Sequence, residues 1–290
     1  MEDLKFTELV KTNVPKGWES VFENCEHEFK DLAFTLDSHE WFPKKCDLFN
    51  AFHHTPLQDV KVVIIGQDPY PQRLADGRPR AVGMSFSVDR NDTVPSSLNN
   101  VYKVLSKTIP GFTKPYHGDL TNWARQGVLM LNMCLTVKPG APGSHKIIWL
   151  GFIRKVLLAI NEANPRCIYL LWGREAQKIK QFLSSKAIIL ETSHPSGLSA
   201  NRGFLDCNHF NEVNQYLKDL GKTEIDWNAI NDTSEEIQNP VILQNISDNF
   251  NKLKESLENT HQVTISVTNN SEYHLSYKKD DLPQITPIIQ

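Results

Sequence analysis

Four short apolar runs, the first of them β-branched, constrain what this 290-residue chain can become: Val60 to Gly66, Val128 to Cys134, Cys167 to Gly173 and Ala187 to Thr192. The first contains VVII at 62 to 65 and is shut off by Gly66, Gln67, Asp68, Pro69, Tyr70 and Pro71. Runs this short, closed by glycine and proline, read as strands buried on both faces. Between them lie amphipathic stretches. Ser97 to Thr108 opens on serines suited to N-capping, HKIIWLGFIRKVLLAINEANP repeats apolar residues at three and four spacing up to Pro165, and Arg174 to Ser184 follows Gly173 directly. Strands alternating with helices of this length require βαβ crossovers. The sequence therefore predicts an α/β fold with a central, mostly parallel four-stranded sheet flanked by helices. CNHFNEVNQYLKDLGK, with Gly221 as its C-cap, closes a single domain over 1–230.

Beyond that the texture changes. Residues 231–290 are polar and Asn-rich, with one short helical pattern (Ile246 to Leu257) and a strand-like alternation in QVTISVT. They form either a disordered tail or a small appended element. This extension holds nine Asp/Glu and four Lys/Arg, a net of −5, which leaves +2 for the first 230 residues out of the whole chain's −3. A weak positive excess permits DNA binding if charges cluster or backbone amides do the holding.

The five cysteines (Cys25, Cys46, Cys134, Cys167, Cys207) are scattered, without a CxxC pair, and predict reduced, mostly buried thiols in place of disulfides or a zinc site. The charged N-terminus, MEDLKFTELVKTNVPKGWE, has neither an apolar core nor transit-peptide composition. The expected location is nucleus or cytoplasm, with no secretion and no membrane partner.

Each predicted strand ends in a polar group: GQDPYP after the first, Asn132 at the second, Gly173 at the third, and ETSHPSGLSANRGF with His194 after the fourth. In a parallel sheet all four face one edge, where α/β proteins bind ligands. Taken singly, each has a plainer reading. Asp before Pro often bonds its own turn, His before Pro in a loop is often solvated, Asn commonly terminates a strand, Phe in GMSFSV packs equally well in a core, and a lone surface Leu means little.

The motifs together resemble family-1 uracil-DNA glycosylases. The resemblance rests on GQDPYP at 66–71, GMSFSV containing Phe86, VPSSLNNVYKVL at 94–105, HGDLTNWARQGVLMLNMCLTV at 117–137, SHK at 144–146, LLWG at 170–173 and HPSGLSANRGFLDCNHF at 194–210. It spans roughly residues 15 to 230. It implies hydrolysis of the bond between uracil and deoxyribose in DNA without metal or organic cofactor, by a chain expected to act as a monomer. Asp68 is implied as the carboxylate that positions water and stabilises the cationic sugar. His194 is implied as a neutral donor to a uracil carbonyl oxygen, and Asn132 as the amide that reads uracil against cytosine. Phe86 would stack on the base, Tyr70 would exclude thymine's methyl, and Gln67 would offer its backbone amide. Leu198 matches the wedge that fills the stack when the base is extruded. Ser97, Ser196 and Ser199 match serines that grip DNA phosphates, and Gly173 and Arg174 are expected to bind DNA beside them.

Departures from the family pattern fall around the grip. Pro71 stands where many members have His, the proline-rich loop is reduced to VPSS, Arg174 replaces a serine, and Gly197 replaces a proline beside the wedge. PQRLADGRPRAVGMS is longer and more basic than usual, and Arg73, Arg78, Arg80 and Arg174 predict salt-sensitive affinity. The rival functions are a DNA-binding scaffold or polymerase accessory of weak or no activity, with 231–290 docking a protein partner, and a nucleotide-binding α/β protein. The retention of Asp68, Asn132 and His194 weighs against the first, and the lack of GxxxxGK[ST] or GxGxxG after any strand against the second.

Overall fold

The computed structural model describes residues 4–231, 263–267 and 273–277. The chain divides into two compact units, 1–231 and 232–290. In the first, the apolar runs form β1 (Val62–Gly66), β2 (Val128–Asn132), β3 (Ile168–Trp172) and β4 (Ile188–Thr192). They make one parallel sheet in the order β2-β1-β3-β4. Every residue of β1, β2 and β3 is buried, as uninterrupted apolar runs require when helices cover both faces. The edge strand β4 is only partly buried.

The order of the strands places the site. β1 connects toward β2 on one side, while β3 connects toward β4 on the other, so the chain leaves the carboxyl ends of β1 and β3 in opposite directions. A crevice opens at such a switch point.

The helices are α1 (Phe6–Thr12), α2 (Glu19–Glu23), α3 (Glu26–Leu36), α4 (Asn50–His54), α5 (Ser96–Thr108), α6 (Thr121–Ala124), α7 (Leu150–Ala163), α8 (Arg174–Gln177) and α9 (His209–Asp219). Among the described residues none is long and apolar enough to cross a membrane. Gly221 follows α9 at φ +66° while Lys222 N–H reaches back to the Leu217 carbonyl at 2.8 Å, a glycine-dependent helix stop.

Three expectations needed correction. The residue preceding α5 is Pro95 and no side chain caps the helix; Ser96 and Ser97 lie inside its first turn, which leaves the Ser97 hydroxyl for the cavity described below. The periodic pattern from His145 does not begin a helix until Leu150, because His145 and Trp149 are tied to Thr136 by bonds of 2.9 and 2.7 Å that hold 145–149 in turns. Arg174 to Ser184 is a single α-turn followed by a 3₁₀ segment, Lys178–Phe182.

The first 59 residues carried no predicted element, yet α1 to α4 supply much of the core. Phe22 meets Phe49 at 4.9 Å and Phe152 of α7 at 5.5 Å, and Trp18 meets Phe52 at 5.0 Å, at edge-to-face angles. All five cysteines are free thiols, with Cys25, Cys134 and Cys167 buried. In the second unit QVTISVT does form a strand, β5 (Val263–Val267), paired antiparallel with β6 (Tyr273–Tyr277). The helix predicted over 246–257 lies outside the described residues.

Candidate active site

The carboxyl ends of β1 and β2 set the floor. Gly66 lies beside Asn132 in the parallel register, and the Met133 N–H donates to the Gly66 carbonyl at 2.9 Å. A Cβ at position 66 would stand 2.2 Å from Asn132 Oδ1 and 2.7 Å from Ser85 Cβ. Only glycine leaves room for the carboxamide to lie across the strand end. Asn132 is 6% exposed, and its side chain makes no hydrogen bond among the described residues. Its amide atoms are not among the fully buried ones left without a partner, so they remain accessible to a ligand.

Ser85 ties the next wall to the sheet: its N–H donates to the Met130 carbonyl at 2.9 Å and its hydroxyl to the Ile64 carbonyl at 3.1 Å. Phe86, directly behind, has φ +62° and is the one non-glycine residue with positive φ among those described. That conformation costs about 1 kcal/mol or more, and such strain gathers at binding sites. Its ring lies 5.6 Å from Trp172 and 5.8 Å from the His194 imidazole, tilted 33° to the latter. Tyr70 donates its hydroxyl to the Phe86 carbonyl at 3.1 Å.

Asp68 is half-buried, and the Gly143 N–H donates to its Oδ2 at 2.6 Å. Burial raises its pKa above the ordinary carboxylate value, while the Gly143 bond, a Gln67 side-chain bond and the Lys146 charge oppose that rise.

His194 enters from the loop after β4. Gly173, at φ +92°, ends β3 so close to this loop that a Cβ there would fall 2.8 Å from His194 Cβ. The Ser196 N–H donates to His194 Nδ1 at 3.0 Å. Nδ1 is therefore an acceptor and the proton of the neutral ring sits on Nε2. Burial lowers the pKa of this imidazole, which favours the neutral form.

These groups meet in a cavity of about 210 Å³ lined by Gln67, Asp68, Tyr70, Phe86, Ser97, Asn132 and His194, among others. That is below the roughly 300 Å³ at which drug-sized pockets begin and suits a single small ring. Roomier clefts of about 880 and 670 Å³ lie elsewhere in the same unit, but neither contains a predicted site residue. Convergent chemistry, not volume, selects the smaller one. Among the described residues no three His, Cys, Asp or Glu side chains are placed to hold a metal ion.

The remaining predicted residues ring the mouth. Leu198 is 90% exposed at the tip of the His194 loop. Ser199 donates to the His194 carbonyl at 2.8 Å and its hydroxyl lies 3.1 Å from that of Ser196, so both serines already shape the loop. Arg174 is exposed at the start of α8. The basic insertion is not the cationic patch its composition suggests. Arg73 pairs with Glu40, Arg78 with Asp76 and Asp89, and Arg80 with Asp92.

Sequence reasoning missed Gly143, Ser85 and Asn100, whose Nδ2 donates to the Pro195 carbonyl at 2.8 Å and pins the His194 loop to α5. Each acts through a long-range contact, which no local pattern announces.

Fold and cavity define an α/β protein with a pocket for one small planar ring at the carboxyl edge of its sheet. Residues 52–218 match the family model of the uracil DNA glycosylase superfamily. The chain is 50% identical over 188 residues to the uracil-DNA glycosylase of Klebsiella pneumoniae, covering 64% of this chain and 80% of the relative. It is 49% identical, at the same coverage, to that of Escherichia coli K12. Among solved structures, mimivirus uracil-DNA glycosylase superposes with a TM-score of 0.71 at 30% identity, over 75% of this chain and 88% of that one. The chain belongs to the uracil DNA glycosylase superfamily.

Proposed function

We propose that this chain is a DNA-repair hydrolase that removes uracil from DNA by cleaving its N-glycosidic bond, leaving an abasic site. The observation that carries this reading is the meeting of Asp68, Asn132 and His194 in one cavity sized for a single ring. As the bond breaks, positive charge develops on the sugar and negative charge on the departing base. Fixed groups of opposite polarity on the two sides lower that barrier. Asp68, its rotamer held by Gly143, faces the cation and orients the water that adds to the sugar carbon. The Nε2–H of neutral His194 donates to a uracil carbonyl oxygen as anionic charge gathers there.

Selectivity follows from shape and hydrogen bonding. The unpartnered Asn132 carboxamide offers one donor and one acceptor to the edge of uracil, whereas cytosine presents the reversed pattern. Phe86 stacks on the ring, Tyr70 blocks a 5-methyl group, and the Gln67 backbone amide completes the contacts. The base reaches the cavity by leaving the helix, and Leu198 fills its place. Ser97, Gly173, Arg174, Ser196 and Ser199 hold the flanking phosphates.

None of these residues lies in the C-terminal unit, which we read as a docking element for a protein partner of a monomeric enzyme. Truncation after Asn231 then leaves excision unchanged.

The test is incubation of the purified chain, with EDTA present, with oligonucleotides carrying one U, T or C, followed by alkali. Strand cleavage at U alone is the expected result. An inert U strand would leave a DNA-binding scaffold as the better reading.

A further inference from the structure

Arg80 belongs to the basic segment between Tyr70 and Phe86, and it does not reach the cavity wall. Its guanidinium nevertheless lies over the Tyr70 ring, 5.6 Å from the centroid. Tyr70 itself lines the cavity and Arg80 does not, so the guanidinium meets the ring outside the ligand space. The guanidinium is in turn fixed at three points. Nε donates to Asp92 Oδ2 at 2.6 Å, and Nη2 donates to the Thr93 carbonyl at 2.6 Å and to the Thr93 hydroxyl at 3.1 Å.

Asp92 is itself immobilised. Its Oδ1 accepts the Thr93 N–H at 2.6 Å, and its side chain is 8% exposed against 21% for Arg80. This pair is the least exposed of the ion pairs formed by the insertion, so solvent screens it least. The opposite end of Tyr70 is tied by its hydroxyl to the Phe86 carbonyl. The ring is thus held at its tip by a hydrogen bond and over one face by a cation fixed at three points.

We propose that Arg80, locked by Asp92 and Thr93, is a positioning residue that sets how tightly Tyr70 closes the cavity against substituents at C5 of the base. This rests on the reading of Tyr70 as the group facing C5. A methyl group is excluded by shape only if the wall it meets does not yield. A tyrosine free to tilt by a fraction of an ångström admits it. Lysine cannot substitute, because an ammonium lacks the planar fork that bonds Asp92 and Thr93 while the cation stands over the ring.

The experiment compares the full-length parent with Arg80→Ala, Arg80→Lys, Asp92→Asn and Tyr70→Ala. Single-turnover excision is measured on one DNA strand carrying uracil, 5-fluorouracil or thymine. In the first three variants uracil and 5-fluorouracil excision stays within about threefold of the parent, while thymine excision rises about tenfold relative to uracil, the size of one desolvated cation–π contact. Tyr70→Ala raises the thymine ratio at least as far. A merely structural role would lower all three substrates together, and that result overturns the proposal. A raised thymine ratio in Tyr70→Ala alone, with Arg80 and Asp92 variants like the parent, also overturns it and leaves Tyr70's role standing. No rise in Tyr70→Ala removes both.

Discussion

The Gly143 N–H donates to Asp68 Oδ2 at 2.6 Å across 75 residues of sequence. The bond couples the loop after β1 to the one after β2 and holds a half-buried carboxylate in one rotamer. Asp68→Asn keeps the shape and loses the charge. It is expected to slow single-turnover uracil excision by on the order of 10²–10³, as removal of one preorganised electrostatic partner does. The melting temperature should stay close to the parent's, since Asp68 bears no part of the core. An Asp68→Asn variant excising at the parent's rate would take the carboxylate out of the reaction.

The acid limb of the activity profile follows from two shifts. His194 works neutral, and burial lowers its pKa from the ordinary 6.5. Asp68 works ionised, and burial raises its pKa from the ordinary 3.8. The neutral imidazole prevails above 6.5, and both working forms are lost as pH falls from there toward the carboxylate range. Excision measured from pH 4 to 8 should be level at the alkaline end and decline only on the acid side. A rate that climbs as pH drops through 6.5 would make imidazolium the working form.

Stability carries its own pH dependence. Burial holds His145 and His209 down to about 4. Between 6.5 and 4 the unfolded chain binds protons that the folded chain does not, so stability rises with pH across that window and is lost as pH falls through it. Each residue contributes on the order of 1–3 kcal/mol to the full swing. Trp172 Nε1 donates to His209 Nδ1 at 3.1 Å, and Asn can accept that bond without titrating. Urea unfolding at pH 7, 5.5 and 4.5 should show a shallower loss in His209→Asn than in the parent. Equal slopes would place the acid sensitivity elsewhere.

The sheet was legible because its signal is local: short apolar runs closed by Gly66 or Gly173 need no knowledge of the rest of the chain. Asp68, Asn132 and His194 could be placed at one edge for the same reason, since strands joined by helices run parallel. The N-terminal helices escaped because segments of five to eleven residues, such as Glu19–Glu23 and Glu26–Leu36, give too few turns for a clear period. Composition misled at the insertion. Arg78 and Arg80 raise the local positive count, but Asp76, Asp89 and Asp92 stand close enough to consume it.

That pairing reshapes the expected salt dependence. Arg174 is exposed and makes no ion pair among the described residues, whereas Arg78 is engaged by Asp76 at 2.7 Å. Only an unpaired cation is free to displace counterions from a phosphate. Arg174→Ala is expected to reduce the log–log salt slope of DNA affinity by about 1, and Arg78→Ala to leave it unchanged. Titration of a fluorescein-labelled duplex between 50 and 200 mM salt, on the order used for such slopes, separates the two. Equal changes in both variants would return the insertion to the DNA interface.

Gly66 gives the sharpest handle on Asn132. A methyl group at 66 needs the space held by Asn132 Oδ1, 2.2 Å away, and the β1 backbone is held by β2 as far as Gly66 and by β3 as far as Ile64. The carboxamide must therefore swing. Gly66→Ala is expected to leave the far-ultraviolet circular dichroism intact and to lower uracil excision about as far as Asn132→Ala does, on the order of 10² or more. If the methyl acts only by displacing that side chain, and Ser85 Cβ at 2.7 Å yields at no cost, adding Gly66→Ala to Asn132→Ala costs nothing further. The double-mutant cycle then shows an interaction energy nearly equal to either single effect. Independent, additive losses would mean that the β1 terminus is damaged in its own right, and that the glycine serves the strand and not the amide.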